Sequence, residues 1–115
     1  MKIYHNPRCS KSRKSLTLIQ EAGLDVDVIE YLKTPPTVAE LTAVISLLGV
    51  PAESIVRKKE ALFQELGLSQ QTLSKQQWIE TLCEHPKLIE RPIVVSGKQA
   101  VIGRPPERIE PLLQR

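Results

Sequence analysis

The chain has 115 residues, enough for one hydrophobic core and too few for two, so a single domain over 1–115 is expected. Aromatic residues are only 3% against 41% hydrophobic overall, which makes the core aliphatic and excludes a base-stacking nucleic-acid surface. The net charge of +3, from 16 basic against 13 acidic residues, is mild and holds no basic run, so no nucleic-acid partner is expected.

Residues 2–5 read as a short strand that begins at once, with no apolar leader before it. No apolar stretch approaches the roughly 18 residues that cross a bilayer, so no membrane partner and a cytoplasmic location are expected. Asn6-Pro7-Arg8 is a turn. From about Ser10 to Ala22 the pattern is helical, and Gly23 stops it. Asp25-Val26-Asp27-Val28 alternates with period two, giving a second strand over about 25–30. Pro35-Pro36 ends this strand–helix–strand unit. Thr37-Val38-Ala39-Glu40 is a capping box that opens a helix to about Leu48, with Gly49 after it. Residues 52–66 read as one or two short helices carrying Arg57-Lys58-Lys59-Glu60. Ser74-Lys75-Gln76-Gln77 is a second capping box, starting a helix to about Glu84.

The period then changes. Ile93-Val94-Val95 reads as a buried strand, Ser96-Gly97-Lys98 as a turn, and Gln99-Ala100-Val101-Ile102 as the returning strand of a hairpin. Pro105-Pro106-Glu107 starts a C-terminal helix. This order gives an α/β fold, a thioredoxin-like mixed four-stranded sheet with a helical insertion after the second strand.

The chemistry centres on Cys9, between the first strand and the first helix. Amides at a helix N-terminus are unpaired and partly positive, so they favour a thiolate and can hold an oxyanion. Arg8 and Lys11 flank Cys9, and His5 lies four residues back. A protonated His5 would favour the thiolate further; a plain surface histidine is equally compatible with the segment. A small buried thiol is the bland alternative for Cys9, and its polar, basic flanks argue against it. Ser12 stands where a Cys-x-x-Cys motif has its second cysteine, so Cys9 needs a thiol from elsewhere. Cys83 shares a helix face with Ile79 and reads as core packing. Its neighbour His85 should meet that helix's terminal carbonyls. Two cysteines make no disulfide scaffold, and Cys83 with His85 is too small a set for a metal site.

The segment His5-Asn6-Pro7-x-Cys9-Ser10-x-Ser12-Arg13 resembles the active-site segment of the glutaredoxin-coupled arsenate reductases. The resemblance continues through Tyr31-Leu32-x-Thr34-Pro35-Pro36-Thr37, Arg57-Lys58, Glu90-Arg91-Pro92-Ile93-Val94-Val95 and Gly103-Arg104-Pro105-Pro106-Glu107, in order along essentially the whole chain. It implies the thioredoxin-like fold, with a cis-proline at Pro92. It implies Cys9 as nucleophile, His5 as its catalytic helper, and Arg57, Arg91, Arg104 and Ser12 as substrate-binding residues. The reaction implied is reduction of arsenate to arsenite. No cofactor would be bound, and glutathione and glutaredoxin would act as external reductants. Taken alone, Arg57 begins a charged cluster and reads as part of a solvated helix face. Arg91 and Arg104 flank the hairpin at its start and end, which puts both at one end of the sheet if its strands pair in register. The three arginines are expected to meet in one shallow cleft above Cys9.

Two other functions share parts of these motifs. Spx-like transcriptional regulators, which bind RNA polymerase, typically carry the second cysteine that Ser12 replaces here. A thiol oxidoreductase paralogue with another substrate would use the same apparatus.

Overall fold

The computed structural model describes residues 1–113. They fall into two compact units, one formed by residues 1–34 with the chain from 91 onward, the other by residues 35–90.

The first unit holds the whole sheet. Its strands are β1 (Lys2–Tyr4), β2 (Asp27–Ile29), β3 (Ile93–Ser96) and β4 (Gln99–Ile102), in the order β2-β1-β3-β4. β1 runs parallel to β2 and antiparallel to β3, and β3 antiparallel to β4. Helix α1 (Ser10–Glu21) makes the crossover between β1 and β2. Ile3 faces Val94 across the β1–β3 ladder, and both are wholly buried with Ile19 of α1 and Ile109. Each such side chain contributes about 1.5–3 kcal/mol by leaving water. Gly23 ends α1 because it takes a φ of 73°, open to glycine at little cost.

Three details differ from the sequence expectations. β2 covers three residues and leaves Val28 46% exposed. It is an edge strand, so the period-two alternation marks a half-covered ribbon rather than a buried one. The hairpin turn is two residues, because Ser96 pairs with Gln99, and Gly97 carries its positive φ of 57°. The last helix, Pro106–Leu113, is of the tighter 3-10 kind. Pro111 inside it has no N–H to give to an α-helical ladder.

The second unit is helical. α2 (Val38–Leu48) buries Leu41, Val44 and Ile45, and α4 (Lys75–Glu84), which packs with it, buries Trp78, Ile79 and Leu82. Between them lie a 3-10 turn at Ala52–Ile55, the five-residue α3 (Ala61–Glu65) and a second 3-10 turn at Leu68–Gln70. Ser74 and Gln77 form a complete capping box. Thr37 caps α2 by accepting from the Glu40 amide at 3.1 Å, but its hydroxyl also donates to the Glu40 carboxylate at 3.2 Å, so the reciprocal bond of a full box is replaced. Cys83 is half-buried rather than core, since the deep face of α4 is taken by Ile79 and Leu82. His85 meets the helix end through its backbone N–H, which donates to the Thr81 carbonyl at 2.9 Å. Among the described residues no helix is long and apolar enough to cross a membrane.

Gly103 is buried where the chain leaves β4. A methyl group there would lie 2.6 Å from the Ser15 hydroxyl oxygen and 2.9 Å from the Pro92 ring, with Ser15 wholly buried. Gly103→Ala is therefore expected to destabilise the protein by about 1–3 kcal/mol, the usual cost of overpacking. Urea unfolding measures it, and an unchanged midpoint would show that this corner can relax.

Candidate active site

β1 ends at Tyr4, and the next four residues turn the chain into α1. Cys9 is the N-cap of α1, with extended backbone (φ −95°, ψ 122°) and no capping bond from its side chain. The sulfur is thus left beside the amides of the first helical turn. The turn itself is tied down at several points. The Cys9 N–H donates to the Asn6 carbonyl at 3.0 Å, and the Arg8 N–H donates to the Asn6 side-chain oxygen at 3.0 Å. The Asn6 N–H donates to the Ser12 hydroxyl oxygen at 3.0 Å, and that oxygen lies 2.6 Å from His5 Nδ1. The Arg13 guanidinium donates to the Pro7 carbonyl at 3.0 Å.

Sheet register brings the other half of the site. Tyr4 pairs with Ile93, and Ile93 pairs with Ile102. The end of β1, the start of β3 and the end of β4 therefore lie side by side, which places Arg91 and Arg104 at the end of the sheet that carries the Cys9 turn. The Arg104 guanidinium donates to the Arg91 carbonyl at 3.1 Å and comes within 4.0 Å of Cys9 Sγ. Both Arg91–Pro92 and Arg104–Pro105 are cis; the sequence reading included only the first.

These surroundings set the protonation of the thiol. Partial burial opposes the thiolate, and hydrogen bonds from the Ser12 amide, the Arg91 guanidinium and the Lys11 amide outweigh it, so the Cys9 pKa lies below the ordinary thiol value. Neither His5 nor the side chain of Arg8 is among the causes. Burial holds the His5 pKa below its usual value, with Glu30 pulling it up and Arg13 pushing it down. The expected His5 cation is thus replaced by a neutral ring. Ser12 has no exposed surface, and its buried proton has the His5 ring nitrogen to go to. Its side chain braces the turn instead of reaching a substrate, and its amide is what faces the sulfur.

Arg57 belongs to the second unit. Its guanidinium donates to Glu60 at 3.2 Å and to Glu90 at 2.8 Å, and its N–H donates to the Leu88 carbonyl at 2.7 Å. Its expected freedom to bind an oxyanion is therefore already shared with two carboxylates.

A profile of the ArsC family matches residues 4–112. The chain belongs to the ArsC family. It is 44% identical to an arsenate reductase of Neisseria meningitidis over 98% of this chain and 97% of that one. It is 47% identical to the Escherichia coli protein YfgD over 95% of this chain and 92% of the other. The structure of an arsenate reductase from Vibrio cholerae superposes with a TM-score of 0.91 at 46% identity, covering 96% of this chain and 97% of that one. The mixed sheet is thus the thioredoxin-like arrangement of ArsC structures.

Within this ArsC chain, the helix-terminal amides expected to favour the thiolate are those of Lys11 and Ser12, and sequence reasoning gave Asn6 no role beyond its place in the turn and the motif. Asn6 is 8% exposed and serves as donor or acceptor in three bonds of the turn. Its signal was a polar residue beside Pro7 before an N-cap, where side-chain oxygens commonly order a turn. Among the described residues no group of three or more metal-ligating side chains occurs.

The two cysteines should differ in reactivity. Burial and Glu40 push the Cys83 thiol up, opposite in direction to Cys9. Alkylation by iodoacetamide at neutral pH is expected to label Cys9 well before Cys83, with a midpoint against pH below the free-thiol value of about 8.5. Replacing Arg91 with Gln should move that midpoint up. Equal labelling of both cysteines would refute the assignment.

Proposed function

We propose that this chain, working as one domain, is an arsenate reductase with Cys9 as the nucleophile. The observation that carries the reading is a half-exposed, depressed-pKa sulfur with Arg91 and Arg104 gathered at it. Arsenate is a tetrahedral anion, and guanidinium groups offer it planar paired donors that stay charged at any relevant pH. Phosphate has the same shape and charge. The thiolate distinguishes them, because As(V) accepts electrons from sulfur and phosphorus does not under these conditions.

In the proposed sequence the Cys9 sulfur attacks arsenic, forming an S–As bond as water or hydroxide leaves. The thiolate of glutathione then attacks the Cys9 sulfur. The S–As bond breaks with its electron pair on arsenic, which departs as arsenite, and a Cys9–glutathione disulfide remains. Glutaredoxin reduces that disulfide. An external thiol is favoured because Ser12 leaves no partner cysteine in the turn and the raised pKa of Cys83 makes it a poor nucleophile. A reducing cytoplasm would supply it. Arg57 enters this reading through its sequence motif.

The test is NADPH consumption through glutathione reductase, glutathione and glutaredoxin, with and without arsenate. Cys9→Ser is expected to abolish turnover, and Cys83→Ser to keep most of it. Arg91→Lys keeps the charge but loses the fork, and should lower kcat/KM about tenfold or more, since a hydrogen bond to a charged group is worth about 1.5–3 kcal/mol. Arsenate-independent consumption would sink the proposal.

A further inference from the structure

Helix α1 turns three residues fully inward, Ser12, Ser15 and Ile19. Ile19 joins the aliphatic core, and the Ser12 hydroxyl is bonded within the Cys9 turn. The Ser15 hydroxyl has no exposed surface and, among the described residues, no hydrogen-bond partner. Burial without a partner is costly. Alanine would fill the same position without that cost and would favour the helix more. Stability therefore does not account for the oxygen.

The oxygen occupies the space that a side chain on Gly103 would need. A methyl group there would lie 2.6 Å from it, 2.9 Å from the Pro92 ring and 3.4 Å from Ile109. Helix α1, the chain entering β3 and the C-terminal 3-10 helix thus close on one point. Both arginines of the site leave the chain beside that point, since Gly103 precedes Arg104 and Pro92 follows Arg91. The Gly103 N–H donates to the Pro92 carbonyl at 2.9 Å, and the Arg104 guanidinium donates to the Arg91 carbonyl at 3.1 Å, so the two segments are tied to each other. Ser15 lies about 9 Å from Cys9 along α1, at 1.5 Å per residue, and a rigid helix carries a displacement at Ser15 to the amides beside the sulfur. The Arg104 guanidinium reaches Cys9 Sγ only at 4.0 Å, so a small shift of this corner decides whether it touches.

We propose that Ser15 and Gly103 form a spacer that sets the separation between α1 and the arginine-bearing corner, which makes Ser15 a positioning residue for Cys9. The oxygen holds α1 off the corner, and the bare Gly103 admits the oxygen. The proposal rests on the reading of Cys9 as the nucleophile, but on no step of arsenate chemistry.

Alkylation of Cys9 by iodoacetamide, followed against pH by mass spectrometry in the full chain, tests this without arsenate. Ser15→Ala removes the oxygen alone and should unfold at equal or higher urea. It should nevertheless label Cys9 about threefold or more slowly at neutral pH, with the midpoint moved up, because Arg91 and the helix amides no longer meet the sulfur together. Gly103→Ala overfills the same gap, so it should also slow labelling, and it should unfold at lower urea. In Ser15→Ala/Gly103→Ala the added methyl takes the place of the lost oxygen, and labelling should recover toward that of the unaltered chain. A general loosening of the fold would give no such recovery. An unchanged or lowered midpoint in Ser15→Ala, or a double variant that labels no faster than Gly103→Ala, would overturn the spacer. Arsenate turnover in a chain whose labelling ignores Ser15 removes the spacer alone. A spacer effect without arsenate turnover removes the arsenate reading alone.

Discussion

A sulfur anion that is half out of water exists only if fixed donors replace the lost solvent. Everything at this site follows from supplying them. Two come from the amides of α1, because Cys9 is its N-cap, and a third from Arg91, more than eighty residues further along the chain. Only the antiparallel pairing of β1 with β3 brings those segments together. The register Tyr4 with Ile93 and Ile93 with Ile102 sets which residues can reach the sulfur. A one-residue slip would send each strand's buried side chains to the opposite face. The aliphatic core of Ile3, Ile19, Val94 and Ile109 therefore fixes the chemistry as well as the fold.

Within that frame the turn must hold its shape. The buried Ser12 hydroxyl does so by accepting from Asn6 and facing His5 Nδ1. A buried hydroxyl that lost one of these partners would cost about 1–3 kcal/mol, so the network resists loosening. Burial weighs most on His5: desolvation disfavours its imidazolium, Glu30 opposes that in part, and Arg13 adds to it. The Cys9 thiolate is thus favoured by amide dipoles and Arg91, not by an adjacent histidine cation.

Much of this was legible in the sequence, because it was local or motif-borne. The capping residues, the hairpin and the position of Cys9 before α1 each have a short-range cause. So does the pairing of Arg91 with Arg104, which follows from their places around one hairpin. The failures are equally physical. The protonation of His5 depends on burial by residues distant in sequence, which no local pattern reports. Ser12 was a substrate ligand by resemblance alone, and its side chain faces inward, which no local pattern reports. Arg57 reads as a free cation along the chain, and its second carboxylate, Glu90, is thirty-three positions away. The edge position of β2 is a property of the whole sheet, invisible in the alternation of Val26 and Val28.

The two depressed pKa values act in the same direction on stability. Where the folded pKa of a group lies below its unfolded value, the unfolded chain holds more protons between the two, and stability rises with pH. For Cys9 the contribution is complete above the unfolded thiol value and is lost as pH falls through the folded one. For His5 stability is lost as pH falls from the ordinary imidazole value through the depressed one. Acid therefore removes the thiolate and charges the ring that braces its turn. The native state is best satisfied when sulfur is anionic and imidazole neutral, which is also the state that can attack an electrophile. Stability and reactivity at this site select the same protonation, so the nucleophile is held ready by the fold itself rather than by a strained arrangement that the fold must tolerate.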